Sequence, residues 1–185
     1  LVGHVRGGLG YVTIVAAVLM AALSGSAVAD TAALAALLLP MMVKAGHNRA
    51  SAGGLIASAG IIAPIIPPSI GFVIFGVAAN VSITKLFLAG IVPGLLIAVA
   101  IALAWSRVAR RENIIPPPKA CAAERWAALR AATWALVLPF IVLFGLKAGV
   151  LTPTAAAVSA GVFALLVSTL LYRELTLQEL YEVFV

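Results

Sequence analysis

Four residues near the start of the chain, Ser24, Gly25, Ser26 and Asp30, are of types that can hold a cation and interrupt an apolar stretch. Hydroxyl and carboxylate oxygens are ligands that a hard cation such as sodium accepts, and glycine lets backbone approach closely. An ionised carboxylate within an apolar segment costs at least ~2.5–3.5 kcal/mol on insertion scales, so Asp30 needs a compensating partner. The pattern predicts a cation site. A purely structural helix cap, or close helix packing on small residues, is the alternative.

A second interruption lies at Pro67, Pro68 and Ser69, inside the mostly apolar run 50–80, which also contains Pro64. A straight helix is excluded there, because each proline removes a backbone donor and clashes with the preceding turn. We expect a discontinuous helix whose second half begins near Ser69 and exposes amide groups and the positive end of its dipole. A kink that serves packing alone is the alternative.

Composition places these two interruptions in a membrane. Hydrophobic residues make up 64% of the chain, charged residues 10%, and the mean hydropathy is +1.19, which indicates an integral membrane protein. The net charge of +6 does not indicate a nucleic-acid partner, because most Lys and Arg residues adjoin apolar spans. The chain opens on Leu1 without an initiator methionine or a signal-peptide pattern, so we expect a fragment of a longer protein.

Cysteine and histidine chemistry is sparse in this sequence. The single cysteine, Cys121, excludes an intrachain disulfide framework and a Cys-rich metal site. His4 and His47 fall in glycine-rich or basic loops at membrane edges and have no ligand spacing. We therefore expect both histidines to be solvated and neither to bind a metal.

The apolar segments around the first interruption are short. Residues 10–23 are apolar over 14 positions, about 21 Å of helix against a hydrocarbon core of roughly 30 Å. Residues 27–43 follow for 17 positions, with Pro40 near their end. Two short arms with a polar tip predict a re-entrant helical hairpin over about 10–43, and two ordinary spans joined by a tight turn are the alternative. If the tip faces the broken helix, Ser24, Ser26 and nearby backbone carbonyls would coordinate sodium.

The remainder of the chain reads as ordinary membrane segments. We predict a span at 86–106 and then a cytoplasmic basic loop with a surface helix at 107–132. Two further spans follow at 133–148 and 154–171, and a surface helix closes the chain at 174–185.

Charge asymmetry predicts an orientation. With residue 6 in the cytoplasm, ten cationic residues fall inside and only Lys85 and Lys147 fall outside, a clear positive-inside bias. The ten are Arg6, Lys44, Arg49, Arg107, Arg110, Arg111, Lys119, Arg125, Arg130 and Arg173.

The motif GSAVAD at 25–30, followed by PPSI at 67–70, resembles the large, DctM-like membrane subunit of the tripartite ATP-independent periplasmic (TRAP) transporters. The likeness extends through GVLTPTAAA and YRELTLQEL and so covers nearly the whole chain. One departure is Ala155, where the family usually has an acidic residue. The departure weakens any role for a carboxylate at that position and leaves the hairpin untouched.

The resemblance implies an all-α integral membrane protein that is about half of an inverted-repeat, elevator-type transporter. Residues 1–106 would form the transport unit of the first repeat, and 133–185 would begin the second repeat. Carried over by motif, the site would comprise Ser24, Gly25, Ser26 and Asp30 at the hairpin tip, with Pro67, Pro68 and Ser69 in the unwound stretch.

The resemblance also implies an activity and partners. Family members are not enzymes and use no organic cofactor. They import small organic acids such as C4-dicarboxylates, sialic acids and other sugar acids, with sodium as the coupling ion and without ATP. A small membrane subunit and a periplasmic substrate-binding protein work with the large subunit, which would cross the inner membrane of a bacterium or archaeon several times.

Two other classes of protein remain open at this point. A single-component sodium-coupled anion symporter of similar architecture would need no periplasmic partner. An intramembrane enzyme using Asp30 as an acid or base would want a second carboxylate, and no other acidic residue lies in an apolar segment.

Overall fold

The computed structural model describes residues 5–112, 121–147 and 152–172. All regular elements in these ranges are helical, which confirms the all-α class. The elements are α1 (Gly8–Ser24), α2 (Ala27–Lys44), α3 (Arg49–Gly60), α4 (Ile70–Ala78), α5 (Ile83–Arg111), α6 (Ala122–Lys147), α7 (Pro153–Leu166) and a π-helical segment (Val167–Tyr172). His4, Lys119 and the predicted surface helix at 174–185 lie outside the described residues.

The chain divides into two compact units, Leu1–Arg130 and Ala131–Val185. In the first unit α1 and α2 form a helical hairpin joined by two residues. The two helices are antiparallel, because the Thr13 hydroxyl near the start of α1 lies 3.6 Å from the sulfur of Met42 near the end of α2. Thr13 and Met42 are both fully buried, so the hairpin is packed along its length.

Both arms of the hairpin are shorter than a bilayer core. The 17 residues of α1 and the 18 of α2 measure about 26 and 27 Å at 1.5 Å per residue, against roughly 30 Å of hydrocarbon. By length and composition, two helices in the described part of the chain can cross a membrane, Ala27–Lys44 and Ile83–Arg111. Re-entry of the hairpin therefore stays a prediction.

Helix α3 packs on both arms of the hairpin, and α5 packs on α1, α3 and α4. The shared core includes Leu34 of α2, Ile56 of α3 and Ile62 just after α3, each fully buried. Helix α4 meets α5 through the rings of Phe72 and Phe87, whose centroids are 6.4 Å apart. The hairpin, α3, the segment after it and α5 thus share one core, which holds the hairpin tip against the break between α3 and α4.

The structure differs from the sequence prediction after residue 106. Helix α5 continues to Arg111, and one helix, α6, occupies Ala122–Lys147, where we predicted a surface helix followed by a separate span. The physical reason is that residues 122–138 contain no glycine or proline, so nothing in the local sequence ends the helix between those two segments.

In the second unit, α7 begins as helix-start chemistry dictates. Thr152 is its N-cap and accepts a hydrogen bond from the Ala155 amide at 3.2 Å, and Pro153 occupies the first helical position, where a missing backbone donor has no cost. Ala155 thus lies in the first turn of α7, where the resemblance would have placed an acidic residue.

Candidate functional site

The tip of the hairpin consists of two residues, Gly25 and Ser26. Gly25 has φ +62° and its amide donates to the Ala21 carbonyl at 3.2 Å, which ends α1 in the left-handed conformation that glycine adopts without strain. Ser26 is extended and caps α2, where its hydroxyl accepts from the Ala29 amide at 3.4 Å. The chain therefore reverses direction with the amino terminus of α2 at the tip.

Asp30 lies in the first turns of α2 and is almost completely buried, with 2% of its surface exposed. One carboxylate oxygen, Oδ1, accepts a hydrogen bond from the Ser24 hydroxyl. The same hydroxyl accepts from the Ser26 amide at 3.1 Å, so Ser24 ties the end of α1 to the start of α2. The other carboxylate oxygen, Oδ2, is buried and has no hydrogen-bond partner within the described part of the chain.

That unpaired oxygen is the feature of the tip that needs a chemical explanation. A buried charged group without a partner carries its full desolvation penalty. The positive end of the α2 dipole offsets part of that penalty for Asp30, since the residue lies close to the helix start. A cation bound at Oδ2 would offset the rest of that penalty.

The break between α3 and α4 is built around its prolines. Because Pro68 has no amide hydrogen, it cannot donate to the Pro64 carbonyl as a helix would require. The Ser69 hydroxyl donates to that carbonyl instead, at 2.7 Å, and it also accepts from the Phe72 amide at 3.5 Å as the N-cap of α4. Ser69 and Pro67 are fully buried. The second half of the broken helix thus begins directly after Ser69.

The hairpin tip lies directly against this break. A Cβ atom added to Gly25 would stand 2.7 Å from the Pro68 carbonyl oxygen and 3.0 Å from the Ser69 Cα. One turn into α2, Thr31 fits against Gly60 at the end of α3, where only a glycine leaves room for it. Side chains larger than hydrogen at residue 25 would push the two segments apart.

The structure therefore brings together most of the residues that the sequence singled out. Ser24, Gly25, Ser26 and Asp30 form one cluster at the tip. Pro68 and Ser69 touch that cluster through Gly25, and Pro67 lies buried beside them in the chain. Their shared chemistry is oxygen: hydroxyl, carboxylate and backbone carbonyl, which are the ligands of hard cations.

The amino termini of two helices also meet here. The amide of Ile70, first residue of α4, would be 3.3 Å from a Cβ on Gly25, the residue before the N-cap of α2. Helix amino termini carry partial positive charge and unpaired amide donors, which favour an anion nearby. The hairpin tip thus combines a carboxylate, which attracts cations, with the starts of two helices, which attract anions.

The described residues contain no comparable cluster of side chains for a transition metal. Across residues 5–112, 121–147 and 152–172, no group of three or more His, Cys, Asp or Glu side chains is placed to hold a metal ion.

The expectation that His47 is solvated was wrong. His47 is 5% exposed, and its Nδ1 lies 2.8 Å from Oε2 of the partly buried Glu112. This pair lies at the opposite end of α2 from Asp30. Its ring lies 5.3 Å from that of Trp105, whose Nε1 donates to the Gly7 carbonyl at 2.9 Å. No spacing rule could have found the pair, because 65 residues separate its members.

Comparison with known proteins gives a consistent result. The family model described as "Tripartite ATP-independent periplasmic transporter, DctM component" matches residues 1–185. A putative TRAP transporter large permease protein of Haemophilus influenzae is 53% identical over 99% of this chain and 43% of its own length. The 2,3-diketo-L-gulonate TRAP transporter large permease protein YiaN of Escherichia coli is 52% identical over 100% of this chain and 44% of its own length.

A more distant relative has a different named substrate. The sialic acid TRAP transporter permease protein SiaT of Haemophilus influenzae is 38% identical over 98% of this chain and 29% of its own length. Other relatives are named for C4-dicarboxylates and for ectoine. These relatives are transporter permease proteins and not enzymes, and the chain spans less than half the length of each of the three whose coverage is given.

Proposed function

This chain belongs to the DctM component family of the tripartite ATP-independent periplasmic transporters, and we propose that it is part of a large permease subunit that imports a small organic acid by sodium symport. The import uses the sodium gradient and no ATP. A periplasmic binding protein delivers the substrate, and a small membrane subunit completes the complex in the inner membrane of a bacterium or archaeon. The substrate is a C4-dicarboxylate, a sialic acid or another sugar acid.

One observation carries the sodium part of this proposal: Oδ2 of Asp30, in the hairpin tip, is buried and has no hydrogen-bond partner among the described residues. A sodium ion there takes Oδ2 as its charged ligand. The hydroxyls of Ser24 and Ser26 and the Pro68 carbonyl supply further oxygens from the same cluster. The ion also joins the tip to the break, so its binding stabilises the contact that Gly25 makes with Pro68 and Ser69.

The substrate's negative charge suits the same region. The starts of α2 and α4 converge at the tip, and a carboxylate there would accept hydrogen bonds from amides that have no partner within their helices. Sodium beside the carboxylate offsets its charge further. Coupling follows in physical terms, because each ion improves the electrostatic environment of the other.

The alternative is a single-component sodium-coupled anion symporter of similar architecture. It predicts the same hairpin chemistry and differs only in needing no periplasmic protein. A gene for a periplasmic binding protein next to the gene for this chain would favour the three-part transporter.

A reconstitution experiment tests the proposed function. The complete membrane component is placed in liposomes, and uptake of radiolabelled organic acids is measured with and without a sodium gradient, and with and without the purified binding protein. We expect uptake above background only when both are present. Sodium-driven uptake without the binding protein would assign the chain to the single-component symporters. Uptake of equal rate with and without the sodium gradient would contradict symport.

Orientation gives a further prediction, which rests on the ten-to-two charge asymmetry. Cys121, the only thiol in the sequence, is exposed and falls in the segment predicted to be cytoplasmic. A membrane-impermeant maleimide should therefore leave it unlabelled in intact cells and label it after lysis. Strong labelling from outside, with control thiols on both sides behaving as designed, would reverse the orientation.

A further inference from the structure

A groove of about 320 Å³ runs between α3 and α5, well away from the hairpin tip. Its walls are small or apolar, with Ser51, Gly54 and Ser58 on α3 and Ile101, Ala104 and Val108 on α5. A Cβ atom added to Gly54 would meet no other atom within 4 Å, so the space beside α3 is open. The groove has the volume and lining of a site for a flexible apolar chain.

One wall of the groove is held rigidly. Trp105 lines it, and its Nε1 donates to the Gly7 carbonyl at 2.9 Å while its ring packs on Gly10 and beside His47. The side chain is 2% exposed and has no freedom to swing into the groove. A preformed apolar site binds without the cost of ordering its own walls.

The end of the groove near the last turn of α5 is cationic. Arg107 follows Ala104 by three residues and Arg111 follows Val108 by three, so each arginine is a neighbour of a lining residue on the helix surface. Within the described part of the chain, the Arg107 guanidinium is bound only to the Leu103 carbonyl, to which Nη1 donates at 3.4 Å. Both arginines are exposed. Glu112 is the only carboxylate in or next to α5, and its Oε2 is bound to His47 at 2.8 Å. Among the described residues, neither arginine therefore has a carboxylate partner.

We propose that this groove binds an anionic phospholipid of the surrounding bilayer. An acyl chain lies between Gly54 and Ala104 along the apolar walls, and the lipid phosphate lies against Arg107 and Arg111. Charge complementarity selects this occupant, since basic pockets between membrane helices recognise anionic lipid head groups. A free anion would use the arginines alone and an uncharged chain the groove alone, whereas an anionic phospholipid uses both. The site is independent of the transport function proposed above.

Lipid retention measured by native mass spectrometry tests the head-group half of the proposal. The full-length permease is reconstituted with equal amounts of phosphatidylglycerol and phosphatidylcholine and extracted in mild detergent, and its bound lipids are counted. We expect preferential retention of phosphatidylglycerol. The double variant Arg107→Gln/Arg111→Gln should lower that retention roughly tenfold or more, because each cation at an anionic head group contributes to binding. Arg110→Gln is the matched control, since none of the residues three or four before Arg110 lines the groove.

A pair of adjacent glycines tests the acyl-chain half. Gly53 and Gly54 both have open space around an added Cβ, but only Gly54 lines the groove. Gly54→Phe should fill the groove and abolish selective phosphatidylglycerol retention, while Gly53→Phe should leave it unchanged. Equal retention of the two lipids by the unaltered protein would overturn the proposal. Equal phosphatidylglycerol retention by Gly54→Phe and Gly53→Phe would also overturn it. That result is expected if another segment of the full-length protein already fills the groove.

Discussion

Asp30→Asn should raise the sodium concentration that gives half-maximal uptake by roughly tenfold or more, because it removes the negative charge beside the cation and a loss of ~1.4 kcal/mol is already tenfold. The substitution keeps size and lets Ser24 go on donating to Oδ1. It replaces the unpaired oxygen Oδ2 with an NH₂ group that repels a cation. Uptake against sodium concentration, in the complete transporter reconstituted with its binding protein, measures the effect.

Folding has to be separated from sodium binding in this experiment. Glu112→Gln is the matched control, because Glu112, near the opposite end of α2 from Asp30, also has one hydrogen-bonded oxygen and one buried oxygen that no described residue pairs with. It should alter melting temperature without altering the sodium requirement. Expression and thermal stability of each variant are measured in parallel, so that a shifted sodium curve is interpreted only in folded protein.

Ser26 allows a second, smaller comparison. Ser26→Ala removes an N-cap at the tip, and Asn48→Ala removes an N-cap of α3 at the other end of the hairpin. Each should cost about 1 kcal/mol of stability. Only Ser26→Ala should also shift the sodium curve, through the lost hydroxyl ligand. Sodium curves unchanged in both Asp30→Asn and Ser26→Ala would leave the tip as a packing turn and place the coupling ion elsewhere.

Local chemistry explains what the sequence could predict about the site. Ser26 and Ser69 precede apolar helical segments, and each caps the helix that follows, because a hydroxyl at that position satisfies an amide that has no partner in the helix. The three prolines between residues 60 and 70 likewise interrupt the helix, because none of them can donate a backbone hydrogen bond. These features depend on neighbours within a few residues, which a sequence displays directly.

Long-range pairings could not be obtained in this way. His47 was expected in water and lies buried against Glu112, 65 residues away, because helices α2, α3 and α5 bring their ends together. No periodicity encodes that partner. The contact of Gly25 with Pro68 is of the same kind, and from the sequence we could only suppose that the tip faces the broken helix. Tertiary packing decides such contacts, and composition constrains them weakly.

Gly25→Ala should abolish most transport, although it adds a single methyl group. Two costs combine at this residue. An alanine at φ +62° carries roughly 1–2 kcal/mol of backbone strain, and its Cβ would lie 2.7 Å from the Pro68 carbonyl oxygen, where backbone must move to admit it. The tip and the break would separate, and the oxygens proposed to share one ion would no longer face it. Uptake with the binding protein and a full sodium gradient measures the loss.

Gly46→Ala is a control that introduces backbone strain without disturbing the contact between Gly25 and Pro68. Gly46, between α2 and α3, has φ +92°, yet an added Cβ there would meet nothing within 4 Å. It should lower thermal stability through backbone strain alone, and so by less than Gly25→Ala, and it should leave most of the uptake intact because the tip and the break still touch. Only Gly25→Ala should weaken the protection against heat that sodium gives the unaltered protein, since a ligand stabilises only the state that binds it. If the two alanines reduced uptake equally, strain alone would account for the loss, and contact between tip and break would have no special part in transport.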